Sequence, residues 1–185
     1  MKFKQITIFV LLFLASCAWL LAPARGATAS KLNSDARDAL QILYSKNAKA
    51  REIANQASAM LVFPTVIKGG FIFGAHGGDG VLLSNGRALG YYHTSSISYG
   101  LQAGVQKYGY VLFFMNHHAM NYLNRSGGWE VGTGPSLVVV DTGTAKTYST
   151  TTMNDDIYAF IFNQKGLMAG FGLQGTKITK YTPDE

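Results

Sequence analysis

Cysteine is almost missing from this chain of 185 residues: the single one, Cys17, lies in an apolar N-terminal segment. The remaining body therefore has no disulfide, no thiolate-ligated metal centre and no cysteine nucleophile. Catalytic patterns are missing as well. No Gly-x-Ser-x-Gly elbow occurs, and His76, His93, His117 and His118 match no spacing such as His-Glu-x-x-His. The acidic pair Asp155-Asp156 reads as a turn or the start of a strand. The glycine-rich stretch from Gly69 to Gly80 lacks the Lys-Ser or Lys-Thr that a phosphate loop needs, and it reads as a hairpin turn. Nothing in this set calls for an enzyme, a cofactor or a metal. A one-sided charge is also lacking. The formal +6 falls to +3, thirteen basic against ten acidic residues, once positions 1–29 with Lys2, Lys4 and Arg25 are set aside. The basic residues are scattered singly without interleaved aromatics, which argues against nucleic acid as a partner.

What is present begins with an export pattern. Lys2 and Lys4 precede an apolar stretch from Ile6 to Leu14, the charge order of a signal peptide. Two processing routes stay open. Leu14-Ala15-Ser16-Cys17 has the form of a lipobox, which makes Cys17 a candidate lipid anchor; the small-residue sites near Gly26 and Ala29 suit ordinary cleavage. The apolar run from Ile6 to Leu21 is 16 residues long, with Pro23 and Arg25 just beyond it, short of the ~20 that span a bilayer. The expected organisation is a signal segment at 1–29 and one domain at 30–185, exported to the periplasm or envelope of a bacterium.

Between Asn33 and Met60 there is no Gly or Pro, and Leu32, Ala36, Leu40, Leu43, Ala50, Ile53, Ala54 and Ala57 recur at three- and four-residue spacing. This predicts an amphipathic helix capped by Asn33 or Ser34, with a break near Ser45-Lys46-Asn47. On one continuous helix Lys46 and Lys49 lie about 60° apart and share a face, which Arg51 does not clearly join. After Pro64 the composition changes, because 20 of the 21 glycines fall between Gly69 and Gly175. Short apolar runs predict strands near 70–75, 80–84, 88–94, 98–105, 110–115, 129–132, 136–141, 145–150, 157–163, 167–173 and 177–181. Turns are expected at Gly77-Gly78-Asp79-Gly80, Asn85-Gly86, Asp141-Thr142-Gly143 and Lys165-Gly166. A short helix fits 116–124. Gly90, Gly100, Gly104, Gly170 and Gly172 fall inside predicted strands, where bulges, curvature or close backbone approach account for them. Tyr91, Tyr92, Tyr99, Tyr108, Tyr110, Phe113 and Phe114 read chiefly as core. The expected fold class is α+β: an N-terminal amphipathic helix packed on a strongly curled, Gly-rich antiparallel sheet or partial barrel, with one short internal helix. An outer-membrane barrel is disfavoured by the two helices and by the polar C-terminal residues Thr182-Pro183-Asp184-Glu185.

Ala59-Met60-Leu61-Val62-Phe63-Pro64, then Lys68-Gly69-Gly70-Phe71 and Gly78-Asp79-Gly80-Val81-Leu82, resemble the opening of the SYLF domain. Gly100-Leu101-Gln102-Ala103-Gly104, Trp129-Glu130-Val131-Gly132, Gln164-Lys165-Gly166-Leu167-Met168-Ala169-Gly170 and Gln174-Gly175 continue the resemblance in order, from about Leu40 to Lys180. The resemblance implies a phospholipid-binding module. Eukaryotic members attach to phosphoinositide membranes through a basic, amphipathic N-terminal region, yeast relatives also bind actin filaments, and bacterial members are exported or lipid-anchored. Carried onto this sequence, it makes Lys46, Lys49, Arg51 and Lys68 the candidate lipid contacts. The expected partner is an anionic phospholipid or membrane surface. The alternative is a structural or protein-interaction module of the envelope without a lipid ligand.

Overall fold

The computed structural model describes residues 27–70, 73–99, 104–140, 154–166, 173 and 175–185. Cys17, the predicted strand at 145–150, the Asp141-Thr142-Gly143 turn and Gly100, Gly170 and Gly172 lie outside them. Helix α1 (Ala29–Lys46) is capped by Thr28, whose side chain accepts from the Lys31 amide at 3.3 Å. The cap thus falls upstream of Asn33 and Ser34, because the periodicity that marks the helix starts only at Leu32, one turn in. The predicted break is real. Asn47 leaves helical geometry at φ −142°, and its side chain accepts from the Ala50 amide at 3.0 Å, so it caps α2 (Ala48–Gln56). Leu32, Ala36, Ala39, Leu40, Leu43, Ala50 and Ile53 form the buried stripe.

Among the described residues eight strands follow: β1 (Ala59–Gly70), β2 (Phe73–Ser84), β3 (Arg87–Tyr99), β4 (Gly104–Phe114), β5 (Trp129–Glu130), β6 (Leu137–Val140), β7 (Ile157–Gly166) and β8 (Lys177–Tyr181). They form one strongly curled, half-barrel sheet in the order β5-β8-β3-β2-β1-β4-β7-β6. The class is α+β as expected, and six of the seven strand pairs are antiparallel as expected; the seventh, β6 with β7, is parallel, so the sheet is mixed. A parallel neighbour requires a crossover instead of a tight turn, and no local run of residues announces one. The short internal helix is α3 (His117–Met120), capped by Asn116 and continued by a 3-10 turn at Asn121–Asn124. Asp156 ties this region together by accepting from Asn116 Nδ2 at 2.7 Å and from the Ser136 amide at 3.0 Å.

The hairpin β1–β2 departs most from expectation. Residues 59–60, assigned to the helix region, open β1, and Gly77-Gly78-Asp79-Gly80 is not a turn but the middle of β2. Pro64 lies inside β1 because the strand bulges there: Phe63 pairs with Tyr110 but Val66 with Tyr108, so β1 holds one extra residue. A bulge is where a strand tolerates proline. The glycines opposite it are needed for space. A Cβ on Gly78 would meet the Thr65 carbonyl oxygen at 2.5 Å, and one on Gly80 would meet the Phe63 ring at 2.5 Å. Gly109 is covered in the same way by the ring of its cross-strand partner Phe162. Lys165-Gly166 likewise belongs to a strand; of the predicted strand at 98–105, residues 98–99 end β3 and 104–105 open β4, and 100–103 lie outside the described residues. Asn85-Gly86 is the expected tight turn, with φ of 49° and 75°.

The sheet buries both faces. One carries Val62, Val81, Leu83, Val111, Phe113, Phe160 and Phe162 against α1 and α2. The other gathers Leu61, Phe63, Tyr92, Tyr108, Tyr110, Phe114, Trp129 and Ile178 with α3. Tyr92, Tyr108, Tyr110, Phe113 and Phe114 are core residues, as read from the sequence.

Candidate functional site

Asn47 separates two of the candidate lipid contacts. Lys46 ends α1 and Lys49 sits on α2, so the shared face inferred for one continuous helix does not exist. Lys49 pairs with Glu52 at 3.0 Å, with its side chain only 12% exposed. The Arg51 guanidinium lies 5.8 Å from the centroid of the Tyr44 ring. Lys46 reaches across the sheet and donates to Asn163 Oδ1 at 3.4 Å. Lys68 stands on β1 between His76 and Gln106, on the face opposite the helices. The apolar stripe of both helices is covered by the sheet, which leaves it unavailable to any outside surface.

The helices cover only part of their face. α1 crosses the strands from Asn33, bonded to the Tyr91 hydroxyl at 3.1 Å, to Lys46 at Asn163. Beyond the β1 bulge neither helix covers the same face. Alternation from Val81 outward puts Gly77, Ala75 and Phe73 of β2 on it, and the register adds Ile97 of β3, Ile67 and Gly69 of β1, and Val105 and Lys107 of β4. Ile67 is 55% exposed, Phe73 69%, Ile97 86% and Val105 67%. Four large apolar side chains standing out from one sheet end are more than scattered surface hydrophobics, and such clusters mark interaction sites. Lys107 and Lys165, exposed and directly opposite each other on β4 and β7, border the group. None of these positions was picked out from the sequence. A period-two pattern starting at Phe73 would have shown the apolar side, but only the position of α1 shows that the helices leave it exposed.

On the opposite face of this end lies a buried polar group. His76 Nδ1 is 3.3 Å from Ser96 Oγ and 3.4 Å from the Tyr108 hydroxyl, while Nε2 has no partner among the described residues. Burial, helped by repulsion from Lys68 and His93, pushes the imidazole down to about 4, and burial pushes the Tyr108 phenol up to about 12. Because the folded-state value of His76 lies below the ~6.5 of an unfolded histidine, the unfolded chain binds the extra proton. Its contribution to stability is therefore complete above about pH 6.5 and is lost as the pH falls toward 4. With solvent screening the expected loss is about 1–2 kcal/mol. Urea unfolding at pH 4.5 and 7 should show this, and His76→Gln should flatten the dependence; equal slopes in the two proteins would discount the histidine. Among the described residues no three of His, Cys, Asp and Glu converge in a metal-binding group, and no helix is long and apolar enough to cross a membrane.

Residues 95–184 match the Ysc84 family, described as Las17-binding protein actin regulator. This is the SYLF family that the sequence motifs resemble, and the matched segment runs from the end of β3 through β8. No curated protein matches the chain.

Proposed function

We propose that this protein is a non-enzymatic SYLF-type module that docks on the anionic phospholipid surface of a bacterial envelope, reached by export of the chain. The observation that carries the proposal is the exposed apolar sheet end, where Ile67, Phe73, Ile97 and Val105 stand 55–86% exposed beside Lys107 and Lys165. Apolar side chains that enter the headgroup region and lysines that face anionic lipid are the two components of interfacial binding. Each lysine near such a surface contributes about 1 kcal/mol, which is weak and salt-sensitive, so apolar burial must supply the rest. The docking face thus moves from the N-terminal helix to the strands beyond it, and Lys46 is the one helical candidate that borders it.

Co-sedimentation with phosphatidylglycerol and phosphatidylcholine vesicles tests the reading. Binding should be stronger to the anionic vesicles and should weaken as salt rises. Lys49→Glu and Arg51→Glu, whose side chains are engaged within the helices, should bind within about twofold of the wild type. No sedimentation with either vesicle would favour the alternative, a protein-interaction module, for which the family description names protein partners.

A further inference from the structure

Two strand bulges face each other across β4. The first is at Pro64-Thr65 of β1; the second is in β7, where Lys107 pairs with Lys165 but Gly109 pairs with Phe162, so β7 carries one extra residue. Asn163 takes up that residue at φ 53°, a left-handed conformation uncommon outside glycine. Between these bulges and the edge of α1 lies a groove of about 720 Å³ lined by Ile42, Lys46, Thr65, Lys107, Asn163 and Lys165, among others.

The charges in this groove are unbalanced. Lys107 and Lys165 are cross-strand partners on the same face, a geometry that brings Cβ atoms to about 4.5–5.5 Å and destabilises a like-charged pair. Neither has a carboxylate within ion-pair distance among the described residues, and Lys46 converges on the same place through Asn163. The groove also holds Lys31, Asp35 and Asp38. Lys31 is paired with Asp35 at 2.8 Å, so among the described residues lining the groove Asp38 alone opposes three lysines. Bulges often re-aim side chains next to functional sites, and here two of them shape the floor under the lysines.

We infer that this groove is a binding site for a phosphate-class anion, held by Lys46, Lys107 and Lys165 with the amide of Asn163 available as a neutral donor. The apolar sheet end adjoins it, so a phosphate borne by a lipid would enter the groove while the exposed side chains meet the acyl boundary. A soluble phosphate compound offers the same chemistry. The lipid source rests on the membrane reading above, but the anion site itself does not.

The test uses the chain as the cell processes it, titrated with inorganic phosphate at low ionic strength and followed by amide NMR shifts and by thermal unfolding. Saturable shifts are expected at Lys46, Lys107, Asn163 and Lys165, together with a rise in Tm. Lys107→Gln/Lys165→Gln should weaken phosphate binding at least tenfold while melting no lower than the wild type, since it removes the repulsion. Unsaturable shifts, or equal affinity in the variant, would overturn the site; a variant that melts well below the wild type would show that the lysines serve the fold instead. Phosphatidic acid and phosphatidylcholine vesicles distinguish the sources. Competition between phosphate and phosphatidic acid vesicles would assign the site to a lipid headgroup. Saturable phosphate binding without vesicle binding would support the anion site with a soluble ligand and sink the membrane reading alone.

Discussion

Gly80→Val is expected to lower the stability of the fold by about 3 kcal/mol, or roughly 6–12 °C in Tm for a domain of this size. A Cβ at this position would lie 2.5 Å from Phe63 Cδ1 and 2.7 Å from the Val62 carbonyl oxygen. The ring could swing aside only by leaving Tyr110, on which it stacks at a centroid separation of 4.6 Å, and the carbonyl belongs to a strand paired on both sides. Strain of that kind has no cheap relaxation in a close-packed interior. Gly69→Ala is the control. Its Cβ would meet Val105 Cγ2 at 3.8 Å and the Gly104 carbonyl oxygen at 4.0 Å, both ordinary contacts, so it should stay within about 0.5 kcal/mol of the wild type. Phe63→Ala should recover part of the loss when combined with Gly80→Val, because neighbours that share a clash are not additive. Urea midpoints for the wild type, the three single variants and the double variant decide the matter, and a Gly80→Val protein as stable as wild type would mean that β2 does not pass beneath the Phe63 ring.

The largest functional effect is expected from Phe73→Glu/Ile97→Glu. Burial of a large apolar side chain is worth about 1.5–3 kcal/mol, so losing two should cut partitioning onto phosphatidylglycerol vesicles by roughly 100-fold or more. Two new carboxylates facing anionic lipid act in the same direction. The fold should lose far less, since Phe73 and Ile97 are 69% and 86% exposed and substitutions at exposed positions cost little beside core changes. The pair therefore separates surface recognition from folding, provided the unfolding curve is measured beside the sedimentation. Vesicle binding that persists within threefold of the wild type, with the fold intact, would move the docking face away from this end of the sheet.

The features legible in the sequence are those whose causes lie within a few residues. Asn47 breaks the helix by capping the next one, Asn116 caps α3, and Asn85-Gly86 closes a two-residue turn; each depends on a side chain reaching an amide three positions on, or on a residue that tolerates positive φ. The spacing of Leu32, Ala36, Leu40 and Leu43 showed the buried side of α1 for a similar reason, since helical periodicity is local. Gly77-Gly78-Asp79-Gly80 has the composition of a turn and is a strand, and two of its glycines are needed because the bulge at Pro64-Thr65 and the ring of Phe63 occupy the space that side chains at 78 and 80 would need. β6 could not be read as a parallel partner of β7 for want of any local mark of a crossover. The candidate site belongs wholly to this second kind. Ile67, Phe73, Ile97 and Val105 are ordinary strand residues until register places them on one face and α1 stops short of covering them. Lys46, Lys107 and Lys165, scattered singly along the chain, become a cluster only where β4 and β7 align under the end of α1, since pairing register and the reach of a packed helix are set by contacts between residues far apart in sequence.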